Sequence, residues 1–257
     1  MILGMVVAVD LSEAEQRVWD AFPSGTLADF GTGNAEDDDP SGGEGWGPDR
    51  QVRAEVLARL LCGAVDVEPG QPGEIYLSRA CVVGKLGFPG AAFKHRLRLN
   101  GCYVPDGIDL SEATTRTLSL RGCRVGAMQL ASARITGTLS LHSAHLEGKD
   151  SSALTAQGLA VTAHMFCGGG FQADGEIDLT GASIGGQLDF SGAHLDGKSG
   201  RALTAQGLAV SADMFCDQGF QADGEINLLR AKIGALADEE RSWPPPVSYT
   251  HLTLPTN

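Results

Sequence analysis

Apolar residues recur along most of the chain in a short unit that reads apolar-x-apolar-x-x-small-x-apolar. The unit is clearest at Ile177, Leu179, Ala182 and Ile184, and it returns eleven positions later over residues 188–195. Fourteen such units, here called rungs, follow one another, each starting ten to twelve positions after the last except where a loop adds four. The rungs at Leu154 and Leu203 fit the template loosely, and those at Met165 and Met214 fit it more loosely still. They begin at Ile75, Leu86, Leu97, Ile108, Leu118, Met128, Leu139, Leu154, Met165, Ile177, Leu188, Leu203, Met214 and Ile226.

This spacing predicts a coiled chain rather than helices or hairpins. An amphipathic helix would repeat its apolar residues at i+3, i+4 and i+7, and Asn-Gly or Asp-Gly turns between long alternating strands are absent. Two inward positions, a corner and two more inward positions describe a chain that winds around a narrow core. Two rungs then make one turn, and successive turns stack as parallel strands about 4.8 Å apart. We therefore predict an all-β fold, a right-handed parallel β-helix (β-solenoid) of about seven coils over residues 71–242.

The corners of the predicted coil depend on small residues. Ala, Cys or Gly occupies the third inward position, and in the Met165 and Met214 rungs this places Gly170 and Gly219 inside. Glycines between rungs are expected to supply backbone freedom at the extra residue. These are Gly84, Gly126, Gly137 and Gly185.

A 49-residue segment is written twice within the series, as Ile135–Ser183 and Ile184–Lys232. The two copies agree at 31 of 49 positions, and a fixed period of this kind is typical of a solenoid. GFQADGEI occurs in both copies, which places Gln172, Asp174 and Glu176 over their equivalents. Those equivalents are Gln221, Asp223 and Glu225.

Added loops at Gly148–Ser152 and Gly197–Arg201 also fall at equivalent positions, so they should protrude from the same side, about two coils or 10 Å apart. Matched loops are a usual binding region of a solenoid, although tolerated insertions in a surface turn explain them equally well. The candidate interaction residues in these loops are Lys149, Asp150, Lys198 and Arg201.

The N-terminal segment, residues 1–70, is predicted to hold two helices and an acidic loop. Leu11–Phe22 begins with a capping box formed by Ser12 and Glu15, and a second helix is expected over residues 47–61. Between them, Thr32–Gly45 is rich in Gly and Asp and is predicted to be a mobile loop. The helical pair is either a docking surface or a cap for the first coil, whose backbone groups would otherwise be unpaired. We favour the cap.

Two resemblances follow from these residues. The A-x-φ-x-x pattern of residues 179–184 resembles the pentapeptide-repeat family, with one residue inserted per two pentapeptides. Leu11–Pro23, Asp38–Pro40 and Trp46–Leu57 resemble the opening of a group of actinobacterial proteins often labelled "membrane-associated oxidoreductase", which implies an enzyme at a membrane. Residues 243–257 resemble a translated sequencing adapter and are interpreted as a non-native tail. We therefore expect the given sequence to lack the C-terminal part of the natural protein.

Composition limits the function. The formal charge is −13, yet residues 71–146 are net basic. The pentapeptide resemblance also implies a DNA mimic that binds type II topoisomerases. Such a mimic needs a long acidic face, so the basic stretch weakens this hypothesis. The arginines there are Arg96, Arg98, Arg116, Arg121, Arg124 and Arg134. They could instead bind nucleic acid or anionic lipid, but a solvated face is the favoured interpretation.

Met1–Val9 is apolar but too short to span a bilayer and lacks signal-peptide features. We predict a cytoplasmic protein without a transmembrane segment.

No constellation of residues predicts catalysis. The six cysteines contain no C-x-x-C pair. Cys102 and Cys123 share an inward position in adjacent coils, and Cys167 and Cys216 are a repeat pair, so all four are interpreted as small core residues. The repeat pair His145 and His194 points outward, and with His142 it could form a weak metal site, which we do not favour.

The sequence therefore predicts no catalytic residue, no cofactor and no metal site, because a dinucleotide fingerprint, a P-loop, a nucleophile elbow and H-E-x-x-H are all missing. The function that we favour is a non-catalytic solenoid that acts as a protein-interaction or scaffolding surface. A protein partner is expected rather than nucleic acid, and a homo-oligomer is left open. The alternatives are part of an oxidoreductase whose cofactor site lies in missing C-terminal sequence, and the topoisomerase-directed DNA mimic.

Overall fold

The protein is a β-solenoid of about seven turns in the computed structural model, which describes residues 10–238 apart from the side chains of residues 149–151 and 199. The prediction of an all-β parallel β-helix is confirmed. Met1–Val9, the end of the predicted solenoid after residue 238 and the proposed tail 243–257 lie outside the described residues. Within residues 10–238, neither α-helix is long and apolar enough to cross a membrane.

Helices occur only near the start of the described chain, and strands make up the rest. The helices are α1 (Glu13–Ala21), two 3₁₀ helices (Pro40–Gly45 and Pro48–Arg50) and α2 (Ala54–Leu61). The strands before the 49-residue repeat are β1 (Ala28–Asp29), β2 (Gln51–Arg53), β3 (Glu74–Ser78), β4 (Cys81–Val83), β5 (Leu86–Gly87), β6 (Arg96–Asn100), β7 (Tyr103–Val104), β8 (Ile108–Asp109), β9 (Thr114–Thr115), β10 (Leu118–Arg121), β11 (Arg124–Gly126) and β12 (Met128–Gln129). The remaining strands are β13 (Arg134–Ile135), β14 (Leu139–Ser140), β15 (His145–Thr155), β16 (Ala160–Val161), β17 (Met165–Phe166), β18 (Gln172–Asp178), β19 (Ser183–Ile184), β20 (Leu188–Asp189), β21 (His194–Thr204), β22 (Ala209–Cys216), β23 (Gln221–Asn227) and β24 (Lys232–Asp238).

The strands stack as four parallel ladders, one along each side of the coil. The first ladder runs through β3, β6, β10, β14, β17, β20 and the ends of β22 and β24. The second runs through β4, β7, β11 and the starts of β15, β18, β21 and β23, and the third through β5, β8, β12 and the ends of those four strands. The fourth holds β9, β13, β16, β19 and the starts of β22 and β24. One turn crosses all four ladders and uses two rungs, as the apolar spacing predicts.

The inward positions of the rungs form one continuous core. Leu188, Phe190, Ala193 and Leu195 are each at most 1% exposed, and nearly all other predicted inward residues are buried in the same way. Burial of these side chains is the main favourable term that holds the coils together. Ala91 is an exception, because it is only partly buried.

The predicted inward position of Gly170 is wrong. Gly170 is exposed at a corner with a positive φ of 83°, and Phe171 takes the third inward position instead. This corner holds one residue more than the template, and the large Phe171 is balanced by the small Ala173 at the fourth inward position. Phe220 and Ala222 repeat this exchange in the second copy.

The predicted role of the glycines between rungs is also mostly wrong. Only Gly84 among the four has a positive φ, of 86°. A Cβ atom on Gly185 would lie 2.1 Å from the carbonyl oxygen of Thr162, and one on Gly126 would lie 2.5 Å from that of Pro105. These glycines are therefore required by the close approach of the preceding coil, not by backbone freedom.

The N-terminal segment extends the solenoid as well as covering it. β1 pairs in parallel with β3, and β2 pairs with β4, with Val52 opposite Val82. The prediction of one helix over residues 47–61 is wrong at its start, because this distant pairing makes Gln51–Arg53 a strand and delays α2 to Ala54. Both α-helices bury their apolar residues in the same core as the first coil, as expected for a cap.

A buried carboxylate joins α1 to β2. The Ser12 hydroxyl accepts from the backbone N–H of Glu15, and the Ser12 N–H donates to Glu15 Oε2, which confirms the predicted capping box. Arg53 donates to Glu15 from its backbone N–H (3.0 Å) and from Nε (2.6 Å) and NH2 (2.7 Å). The Glu15 side chain is 3% exposed. Its hydrogen bonds with Arg53 lower the pKa of Glu15 to about 2.

The acidic loop after β1 is held in place, in contrast to its prediction as a mobile segment. The Asp38 carboxylate accepts from the backbone N–H groups of Thr32 (2.9 Å) and Gly33 (3.1 Å), which lowers its pKa. Arg50 lies 3.1 Å from the same carboxylate, with both side chains buried, and its guanidinium stacks 3.8 Å from the Trp46 ring. The many Asp and Gly residues indicated a loop, but the buried Arg50 that fixes it comes from outside the segment.

Candidate interaction surface

The two predicted interaction loops protrude at one corner of the coil, between the second and third ladders. Residues 148–151 of β15 and 197–200 of β21 each stand where the neighbouring strands β18 and β23 have a single glycine. Since β15 and β21 flank β18 on opposite sides, the loops are two coil steps apart on the same side. Their predicted relative position is confirmed.

Two charged side chains of the second loop are available to solvent. Lys198 and Arg201 are exposed, and Lys198 Nζ reaches to 3.6 Å from Asp174 Oδ2 on the adjacent coil. The side chains of Lys149 and Asp150 lie outside the described residues. Whether the four residues bind a partner stays a prediction.

Four carboxylates line up beside these loops. Glu147, Asp174, Asp196 and Asp223 occupy one register position on successive strands of the second ladder, and we call them the acidic column. Coils stack about 4.8 Å apart, so the column places one carboxylate on each of four consecutive turns. The sequence repeat suggested that Asp174 and Asp223 face each other, but Asp196 of the intervening β21 lies between them.

Two histidines accompany the acidic column, one in each copy of the repeat. His145 Nε2 lies 3.1 Å from Asp174 Oδ2, and His194 Nε2 lies 2.8 Å from Asp223 Oδ2. Gln172 stands between the two histidines in the ladder, so the rings are separated by two coil steps. His142 lines a different cleft. The grouping of all three histidines around one ion, considered from the sequence, is therefore wrong.

A cleft of 230 Å³ opens next to His145, between the N-terminal loop and the second ladder. Asp39 and Ser41 form its wall on one side, and Arg124, His145 and Gln172 contribute from the coils. Arg124 donates from Nε (2.9 Å) and from NH2 to the same oxygen of Glu147, Oε1. This hydrogen-bonded pair raises the pKa of Arg124.

Two arginines of the first coils, Arg98 and Arg121, line a second, separate cleft on the first ladder. It measures 410 Å³ and is lined by Tyr76, Arg98, Arg121 and His142 among others. The Arg98 guanidinium lies 4.0 Å from the Tyr76 ring and 3.2 Å from Glu74. Part of the positive charge is thus already neutralised within the protein.

The cysteines that were interpreted as core residues are buried as predicted. Cys102 and Cys123 stack in adjacent coils, and the Cys102 N–H points at Cys123 Sγ at 3.4 Å. Burial away from water raises the pKa of the Cys123, Cys167 and Cys216 thiols. Such thiols are poor nucleophiles at neutral pH, because the thiolate is the reactive form.

Comparison with known proteins adds no relative: no family model matches the chain, and no similarity to a curated protein or to a solved structure was detected.

Proposed function

We propose that the protein is a non-catalytic repeat protein that binds a basic segment of a protein partner along the acidic column. The observation that carries this proposal is the alignment of Glu147, Asp174, Asp196 and Asp223 on four consecutive turns, directly beside the two protruding loops. Rigid coils hold these carboxylates at a fixed spacing, so little conformational freedom is lost when a partner binds.

The charge of this surface is only partly balanced from within. Arg124 neutralises Glu147, and Lys198 lies near Asp174. The side chain of Asp223 is 73% exposed, and its contact there is with His194. Asp196, in the same column, is left to offer its charge to an incoming lysine or arginine. Charge of this kind steers association and selects the partner more than it adds affinity.

The test is to capture interacting proteins with the full-length chain and to compare two charge-reversal variants. One variant carries Asp196→Lys and Asp223→Lys on the acidic column. The control carries Asp20→Lys and Glu112→Lys, which are exposed, lie away from the column and change the net charge equally. We expect the column variant to capture at least about tenfold less of the partner and the control to capture as much as the unchanged protein. If both variants capture the partner equally well, the partner does not bind along the acidic column.

The alternatives have less support. An oxidoreductase function rests on the resemblance of the first residues alone, and flavin or nicotinamide absorbance in the purified protein would favour it. A DNA mimic needs a long acidic face, but the acidic column covers four turns and the earlier coils carry exposed arginines such as Arg96, Arg116 and Arg121. Inhibition of a type II topoisomerase would favour that alternative.

A further inference from the structure

We propose that His145, Glu147 and Asp174 form a binding site for a divalent transition-metal ion such as Zn²⁺ or Mn²⁺. One ligand atom from each residue lies within 4.8 Å of the other two. An imidazole with two carboxylates is a donor set that suits these ions. The site requires no partner protein, but it shares Glu147 and Asp174 with the acidic column, so a bound ion would lower the negative charge of that surface.

The first argument comes from the ring nitrogen of His145. Nε2 is 3.1 Å from Asp174 Oδ2, yet the nitrogen is shielded from solvent and has no hydrogen-bond partner. The contact has the length of an ordinary His–Asp ion pair, and the same separation also suits two ligands of one ion. Bonds of about 2.1 Å place neighbouring ligands about 3.4 Å apart in a tetrahedral site and about 3.0 Å apart in an octahedral one.

The second argument concerns Glu147. Both guanidinium hydrogen bonds from Arg124 go to Oε1, so Arg124 fixes the carboxylate and does not engage Oε2. A carboxylate oxygen of Glu147 already lies within 4.8 Å of the ligand atoms of His145 and Asp174. Arg124 thus acts as a positioning residue of the kind that commonly orients metal ligands.

The third argument is space for the remaining ligands. The 230 Å³ cleft reaches the cluster at His145, and neither Glu147 nor Asp174 lines it. A water molecule occupies about 30 Å³, so the cleft has room for water beside His145. The side chains of Glu147 and Asp174 are 33% and 35% exposed, so solvent reaches them directly. A three-residue site with open positions is also able to accept a donor from a bound ligand.

The second copy of the repeat provides a built-in control. His194, Asp196 and Asp223 occupy the equivalent positions, but His194 Nε2 forms a hydrogen bond to Asp223 at 2.8 Å. The His194 side chain is 45% exposed, compared with 25% for His145. Asp196 is also one carbon shorter than Glu147, and we find no three-residue ligand cluster there among the described residues.

The test is calorimetric titration of the full-length protein with Zn²⁺ and, separately, with Mn²⁺. All proteins carry Cys62→Ser, because Cys62 is the exposed thiol among the described cysteines and would bind Zn²⁺ itself. We expect one ion per chain. Affinity should fall by more than about tenfold in each of His145→Ala, Glu147→Gln and Asp174→Asn, whereas His194→Ala should stay within about twofold. All changes are on the outer face of the coil, and the urea midpoint of each variant shows that it is folded.

Two results would overturn the site. One is that neither ion binds at millimolar concentration. The other is that His194→Ala weakens binding as much as His145→Ala, because the ion would then be held by general negative charge and not by this cluster. Loss of the protein partner in the Asp196→Lys, Asp223→Lys variant has no bearing on this result, since neither residue belongs to the cluster.

Discussion

The carboxylate of Glu15 is predicted to make the attachment of the N-terminal cap depend on pH. The perturbation is Glu15→Gln, which keeps the shape of the side chain and removes its charge. Glu15 accepts hydrogen bonds from Ser12 and Arg53 inside the junction between α1 and β2. A neutral amide can accept fewer of them and offers the guanidinium no counter-charge.

The size of the effect follows from the pKa of Glu15, which is lowered from 4.5 to about 2 by its hydrogen bonds with Arg53. A group whose pKa falls on folding stabilises the protein above its unfolded pKa, and this contribution is lost as the pH falls toward the folded pKa. A difference of about 2.5 pKa units corresponds to about 3 kcal/mol at pH 7 and to about 1.5 kcal/mol at pH 3. The Glu15 side chain is almost fully buried, but the Arg53 side chain is 46% exposed, so solvent screening makes these figures upper values.

The assay is urea unfolding of wild type and Glu15→Gln at several pH values between 7 and 3. We expect the variant to be less stable by about 2 to 3 kcal/mol at pH 7 and the difference to shrink steadily below pH 4.5, as wild-type Glu15 becomes protonated. Glu13→Gln, in the same helix turn but exposed, is the control and should cost less than about 0.5 kcal/mol.

A difference at pH 7 below about 0.5 kcal/mol, or one that is the same at pH 7 and pH 3, would refute this reasoning. In the first case the hydrogen bonds would contribute no net stability, and in the second the loss would come from shape and packing instead of charge.

Two further predictions test the register of the solenoid. Leu188→Asp buries an unpaired charge between coils and should lower the free energy of unfolding by more than about 4 kcal/mol. Gln206→Asp, on the exposed side, should lower it by less than about 0.5 kcal/mol. Equal urea midpoints for the two variants would mean that the inward register is wrong. In Gly181→Ala the new Cβ atom meets no atom within 4 Å, but the alanine has to adopt a positive φ of 65°. This change should lower the free energy of unfolding by about 1 to 2 kcal/mol. Gly185→Ala should cost more, because its Cβ would lie 2.1 Å from the Thr162 carbonyl oxygen; a larger thermal shift for Gly181→Ala would contradict this.

The sequence by itself was sufficient for the coil and most of its core. An inward residue such as Leu188 is recognised because its neighbours at fixed spacing are apolar, and the same spacing holds in twelve of the fourteen rungs. Each rung is a local pattern, and each stacks on a rung of the same kind. The capping box of α1 was also predictable, because both of its residues lie within three positions of each other.

Contacts that depart from the repeat were decided by the tertiary structure alone. Val52 becomes part of a strand because Val82 is its partner, although its own segment has helical periodicity. Phe171 turns inward because one corner has an extra residue, which the template does not count.

The candidate site depended on the tertiary structure for the same reason. The length of chain between neighbours in the acidic column is alternately longer and shorter, because loops 148–151 and 197–200 lengthen every second turn. The long sequence repeat made the equivalence of Asp174 and Asp223 visible but left Asp196 unassigned. Only the register of whole coils, set by the combined burial of every rung, brings His145 to Asp174 and places Glu147 beside them.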